Sequence, residues 1–171
     1  MTDQQTTQQT TSVFYSEEQK QQMVQTLSLT PWERSLTLTT KRNHELPDVF
    51  GFVQQFIRRI HGMTHSRSPY FFGLSGQEKT PLGEEPKRGF YTRLHLHGVM
   101  SGVEGITNQQ IEDCWRSVDV NFTPLPDLSF TLPNTLGYSK VVHYDRDPKW
   151  LFYMLNQTKK GEIITNLEGT I

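Results

Sequence analysis

Apolar positions along this chain repeat with two periods, and the segments that carry them alternate. Residues 34–40 (RSLTLTT) place Leu and Thr in turn, the period of a half-buried strand. From Asp48 the period lengthens: Val49, Phe52, Val53, Phe56, Ile57 and Ile60 share one helical face, and His61-Gly62 is expected to end it. Residues 70–75 (YFFGLS) and 91–100 (YTRLHLHGVM) read as strands around a loop at 76–89 that contains Pro81, Gly83 and Pro86. Thr107 with Gln110 forms a capping box ahead of a stripe of Ile111, Cys114, Trp115 and Val118. Residues 127–132 (DLSFTL) and 138–144 (YSKVVHY) read as two strands around Pro133-Asn134. A last helix is expected over 149–160 (KWLFYMLNQTKK), with Asp147 as its cap, Pro148 at its first position and Gly161 as its stop. The final ten residues carry little signal. At the start, residues 1–11 (MTDQQTTQQTT) have almost nothing to bury. A helix follows, with Ser16 as cap and Gln19 as its box partner.

This order predicts an α+β fold: a central five-stranded antiparallel sheet flanked by helices, which the hairpins between helices place on one face. The division is a disordered Gln/Thr-rich tail over 1–15 and a single domain over 16–171. The 171 residues fit one such domain. With 34% hydrophobic residues, the low value reflects the polar start, and a core of ordinary size remains possible. No apolar run nears the ~20 residues needed to cross a bilayer, and no secretory signal opens the chain. A single cysteine, Cys114, excludes an internal disulfide and suits a reducing, cytoplasmic setting. The formal net charge of -1 gives no global electrostatic case for nucleic acid, so any such binding needs a locally basic surface.

Two histidines stand out. His95 and His97 are two apart on a strand, so they share a face, with Leu94 and Leu96 on the other. Two neutral imidazoles at that spacing can hold one metal ion. Two unrelated histidines on a solvated face are the ordinary alternative. A carboxylate would complete the set, and Glu78, beyond the neighbouring strand, is the first choice over Glu84 and Glu85 in the loop tip. Such a mixed set suits Mn²⁺ or Mg²⁺ and does not exclude Zn²⁺. A cupin barrel, which also uses His-x-His, wants a glutamate where Met100 and Ser101 stand, and far fewer helices.

On the last helix, Trp150, Tyr153 and Gln157 form one stripe, with Lys160 a turn further and Lys159 at its edge. Leu151, Met154 and Leu155 form the apolar stripe beside it. A tyrosine packed at a helix edge is the ordinary reading. A tyrosine is also a possible covalent nucleophile, but its pKa of ~10 calls for help at neutral pH. A divalent ion beside the attacked phosphate supplies part of that help, and a lysine can stabilise the phenolate or the leaving group.

With these pieces in order, the chain resembles the HUH endonucleases, the nicking domains of rolling-circle replication initiators and related transposases. Residues 35–40 (SLTLTT) are similar to the family's first motif, 94–98 (LHLHG) to its His-hydrophobic-His motif, and 150–160 (WLFYMLNQTKK) to its tyrosine helix. The resemblance implies histidines at the centre of the sheet with the tyrosine helix beside them. It implies a divalent metal on His95, His97 and a Glu, Asp or Gln. It implies attack of Tyr153 on a phosphodiester of single-stranded DNA, leaving a 5′-phosphotyrosine and a free 3′-hydroxyl, a step that can reverse. Replication initiators usually carry lysine three residues after the tyrosine, where this chain has Asn156. Gln157 is similar to the residue that joins the metal shell in single-tyrosine transposases, so it competes with Glu78. Phe152 precedes Tyr153, which points to the one-tyrosine class; Tyr144 is the second candidate nucleophile.

Single strands are gripped by basic grooves and stacked on aromatic rings. Arg93, Lys149, Trp150 and Lys159 are the candidates for DNA contact, with Lys41, Arg42, Lys87, Arg88, Phe90, Lys140 and Arg146 near the same elements. The expected partner is single-stranded DNA, folded into a hairpin origin or not. With no ATP-binding motif, strand separation falls to a separate helicase or to DNA structure. A single-tyrosine transposase and a noncatalytic DNA-binding module of the same fold are the alternatives.

Overall fold

The computed structural model describes residues 14–40, 46–75, 95–118 and 139–168. Its elements run α1 (Glu17–Leu27), β1 (Arg34–Thr39), α2 (Leu46–Thr64), β2 (Tyr70–Ser75), β3 (His95–Met100), α3 (Asn108–Arg116), β4 (Ser139–His143), α4 (Lys149–Gln157) and β5 (Ile163–Thr165). The strands form one antiparallel sheet in the order β4-β1-β3-β2-β5, so β3 lies at its centre. The α+β class and the five-stranded antiparallel sheet agree with the expectation.

The capping boxes form as their spacing predicts. Ser16 Oγ accepts from the Gln19 N–H while Gln19 Oε1 accepts from the Ser16 N–H, and Thr107 and Gln110 repeat the pattern at α3. At α4 the Asp147 carboxylate accepts from the Lys149 N–H at 2.9 Å, satisfying a donor that the first turn leaves open.

Three expectations about element bounds need correction. Helix α2 runs through Gly62 to Thr64, and His65, at φ 54°, takes the left-handed terminal position. Histidine tolerates that region better than most side chains, so the glycine is not required there. Helix α4 ends at Gln157 rather than Lys160, because Thr158 is extended (φ −99°, ψ 127°) and its buried hydroxyl donates to the Met154 carbonyl at 2.8 Å. The fifth strand, β5, comes from the last ten residues, with Phe72 pairing Ile164. The strand expected over 127–132 lies outside the described residues, as do the 76–89 loop and residues 1–13 of the tail expected over 1–15.

Helices cover both faces of the sheet, not one. Leu36, Leu38, Phe72, Leu74, Leu96 and Met100 point to α2 and α3, where Phe56 and Trp115 meet edge to face at 5.7 Å. Phe71 and Val99, of opposite parity, point to α1 and α4, against Leu27, Leu151, Met154 and Leu155. Hydrophobic burial on both faces, ~25 cal/mol per Å² of apolar surface, is what holds the layers together. The second layer sets the tyrosine helix on the sheet. Among the described residues, no helix is long and apolar enough to cross a membrane.

Candidate active site

Strand pairing builds one row of side chains across the α4 face of the sheet. Lys140 pairs with Thr37, Thr37 with His97, His97 with Gly73, and Gly73 with Ile163. The next row holds Thr39, His95 and Ser75. Directly paired residues of antiparallel strands share a face, so both histidines lie on the α4 side while Leu96 faces the other core. The shared face follows the expectation; the ordinary alternative of two histidines on a solvated face does not hold for His97. The residue is 4% exposed, roofed by α4.

Gly73 is what lets α4 settle there. A Cβ at this position would stand 2.2 Å from Thr158 Oγ1 and 3.1 Å from Met154 Cγ. Glycine therefore admits the C-terminal turn of α4 directly beside His97.

The stripe of Trp150, Tyr153 and Gln157 turns toward the histidine row. The His97 ring centroid lies 5.1 Å from that of Tyr153, 5.3 Å from that of Trp150 and 4.6 Å from that of His95. Trp150 and Tyr153 stack at 5.5 Å with 27° between planes. The Trp150 indole N–H donates to the Gly98 carbonyl at 3.2 Å, which fixes the ring. Tyr153 is 44% exposed, so its phenol is open to a ligand from solvent.

The two nitrogens of His97 differ. Nδ1 lies 3.3 Å from Thr37 Oγ1, whereas Nε2 is buried with no hydrogen-bond partner among the described residues. Burial, chiefly, and the neighbouring His95 lower the His97 pKa to about 4; Gln157 beside it works in the opposite direction, without a well-formed bond to Nε2. The ring is therefore neutral at pH 7, the form that ligates metals. A buried polar atom without a partner costs about 1–3 kcal/mol and calls for a reason, and a bound ion is one. His97 thus fits a metal.

For the third position the described residues offer Gln157. Among the described residues, no group of three or more His, Cys, Asp and Glu is placed to hold an ion. Gln157 is half-buried near the pair, and its Oε1 accepts from Ser75 Oγ at 2.8 Å, leaving that carbonyl oxygen a second lone pair. Glu78 lies outside the described residues, as do Glu84, Glu85, Lys41, Arg42, Lys87, Arg88, Phe90 and Arg93.

The expected lysines stand apart. With α4 ending at Gln157, Lys160 sits exposed in the following turn, off the Tyr153 stripe, and Lys159 forms a β-bridge with Phe14. Lys149 is at the helix start with its ammonium 3.5 Å from the Asp147 carboxylate. Asn156, where the family pattern has lysine, instead meets a lysine from another helix: Lys20 Nζ donates to Asn156 Oδ1 at 2.6 Å. Tyr144 is a poor rival nucleophile. Its hydroxyl donates to the Asp147 carbonyl at 3.0 Å, and burial, with Asp145 and Asp147, raises its pKa.

Thr37, Gly73, Ser75 and Lys20 were not among the residues expected here. For Thr37 a signal existed: the Leu/Thr alternation puts it opposite in parity to Leu36 and Leu38, hence on the histidine face once β1 pairs with β3. The chain matches no family model, no curated protein and no solved structure.

Proposed function

We propose that this chain is a metal-dependent, site-specific nuclease that nicks and rejoins single-stranded DNA through Tyr153. The observation that carries this reading is the 5.1 Å approach of the Tyr153 ring to His97, whose buried Nε2 has no hydrogen-bond partner among the described residues. His95 and His97, with Gln157 or Glu78, would hold Mn²⁺ or Mg²⁺, which when bound draws charge from a phosphoryl oxygen. Tyr153 supplies the nucleophile: its oxygen forms the bond to phosphorus as the bond to the 3′-oxygen breaks. The phenol proton is lost to solvent and the leaving 3′-oxygen takes one up. One phosphodiester replaces another, so the reverse reaction rejoins the strand.

Trp150 and Thr37 hold the parts in place, the indole by stacking on Tyr153 and the hydroxyl by orienting His97. The single tyrosine of α4, with Gln157 near the histidines, fits the one-tyrosine class, in rolling-circle initiation of a plasmid, virus or mobile element or in transposition. A DNA-binding module without chemistry would need neither an exposed phenol beside the imidazoles nor a neutral His97 with an idle nitrogen.

The test uses mixed-sequence single-stranded oligonucleotides labelled at the 3′ end, with Mn²⁺, resolved under denaturing conditions. The label should travel with the protein, because the tyrosine retains the 5′-phosphate of the downstream fragment. Tyr153→Phe should remove the adduct and keep DNA binding. Absence of any adduct in the wild type, or its survival in Tyr153→Phe, refutes the proposal.

A further inference from the structure

Beside the histidines lies a groove that the chemistry above does not use. It has a volume of ≈270 Å³, and Thr37, Lys140, Val142, Tyr144, Asp145 and Trp150 line it. Thr37 and Trp150 also touch His97, so the groove opens next to the nucleophile. From the geometry we infer that this groove takes one unpaired nucleobase of the strand, next to the attacked phosphate. The inference relies on the nuclease reading for where the strand lies.

Size is the first argument. Pockets for drug-sized ligands run ~300–1,000 Å³, so this one suits a single base rather than several. Preorganisation is the second. Two aromatic residues of the groove are tethered at their polar ends, Trp150 Nε1 to the Gly98 carbonyl and Tyr144 Oη to the Asp147 carbonyl. A base that stacks on them does not have to freeze either side chain.

Charge is the third argument. Lys140 is exposed and shares the row Lys140–Thr37–His97, two strand spacings from the histidine, roughly 10 Å. That places a cation for the next phosphate along. Asp145 lines the same groove and repels phosphate; its Oδ1 accepts from the Asp147 N–H at 2.9 Å, which leaves the other oxygen for a base edge. There a carboxylate accepts from an amino group, which cytosine and adenine carry and thymine lacks.

The test measures binding of fluorescein-labelled dC15, dA15 and dT15 to the wild type, to Val142→Trp and to Lys140→Met, by anisotropy over a salt series. Val142 is 40% exposed, so an indole there fills the groove without entering the core. The wild type should bind dC15 and dA15 more tightly than dT15. Val142→Trp should weaken dC15 binding by about 5- to 100-fold and abolish the preference. Lys140→Met should lower the salt slope by about 0.7, the value for one contact on single strands. Wild-type binding here, together with no adduct on the mixed-sequence strands, would sink the nuclease reading and leave the groove as a base-binding site with no reacting phosphate beside it. Val142→Trp binding all three strands as the wild type does, or a Lys140→Met slope unchanged, overturns the groove, as does a wild type that binds none of them.

Discussion

Thr37 Oγ1 and His97 Nδ1 lie 3.3 Å apart across the β1–β3 ladder, at directly paired positions. The hydroxyl occupies one imidazole nitrogen and leaves Nε2 as the coordinating atom, buried under α4. Partners of this kind orient metal-binding imidazoles, and their loss typically costs 10–100-fold in metal affinity. Thr37→Val keeps the shape and removes the hydroxyl. Titration with Mn²⁺, read as a rise in melting temperature, should show at least a ~10-fold weaker ion. An unchanged titration would make the contact incidental.

A second prediction concerns pH. The His97 pKa falls from 6.5 to about 4 in the folded protein, so between those values the unfolded chain binds more protons. Stability is then complete above about pH 6.5 and is lost as the pH falls through about 4. The loss is at most about 3.5 kcal/mol, since one pKa step is worth ~1.4 kcal/mol. Other groups titrate here too, so the comparison is with His97→Phe, which lacks the ionisable ring. In metal-free buffer, the wild type should lose more stability than His97→Phe between pH 7 and pH 4.5. Parallel curves would mean that His97 is easily protonated in place.

Gly73 gives a steric prediction. With an added Cβ 2.2 Å from Thr158 Oγ1, Gly73→Ala must push the end of α4 off the sheet or shift β2. Overpacking of this kind typically costs 1–3 kcal/mol, and α4 carries Tyr153. Adduct formation should therefore fall by more than the loss of folded protein accounts for. Thr158→Ala in the same chain removes the nearest atom but not Thr158 Cβ at 3.2 Å, so rescue should be partial. Wild-type activity in Gly73→Ala would show that α4 is not held to its place beside the histidines.

Much of this arrangement is legible in the residue pattern, for identifiable reasons. The His95–His97 spacing fixes a shared face whatever the strand pairs with, and the Leu151, Met154, Leu155 stripe fixes how α4 rolls. What the pattern leaves open is register and layer. Which face of the sheet receives α4 depends on Phe71 and Val99 meeting Leu27 and Leu155, residues far apart in the chain. The one-face arrangement expected for the helices failed on that point. The end of α4 depends on a tertiary choice, the Thr158 hydroxyl turning back to Met154, and no local signal places it. β5 is three residues long, too short for a periodic pattern, and it exists because β2 offers an edge.

The final prediction tests how α4 is held on its outer side. Lys20, 8% exposed on α1, donates to Asn156 Oδ1 at 2.6 Å and pairs with Glu17. The ammonium thus reaches the tyrosine helix from another element, at the turn after Tyr153. Burying the charge offsets part of the gain, so single substitutions report a mixture of desolvation and bonding. A double-mutant cycle of Lys20→Met and Asn156→Ala separates them and should give a coupling of about 0.5–1.5 kcal/mol. That is a melting shift of about 2–4 °C per kcal/mol in a chain of this size. The exchange Lys20→Asn with Asn156→Lys moves the ammonium onto α4 with the pair inverted. It should recover most of the coupling, as long as the contact rests on the bond itself. Zero coupling in the cycle would leave α4 held by its apolar face alone.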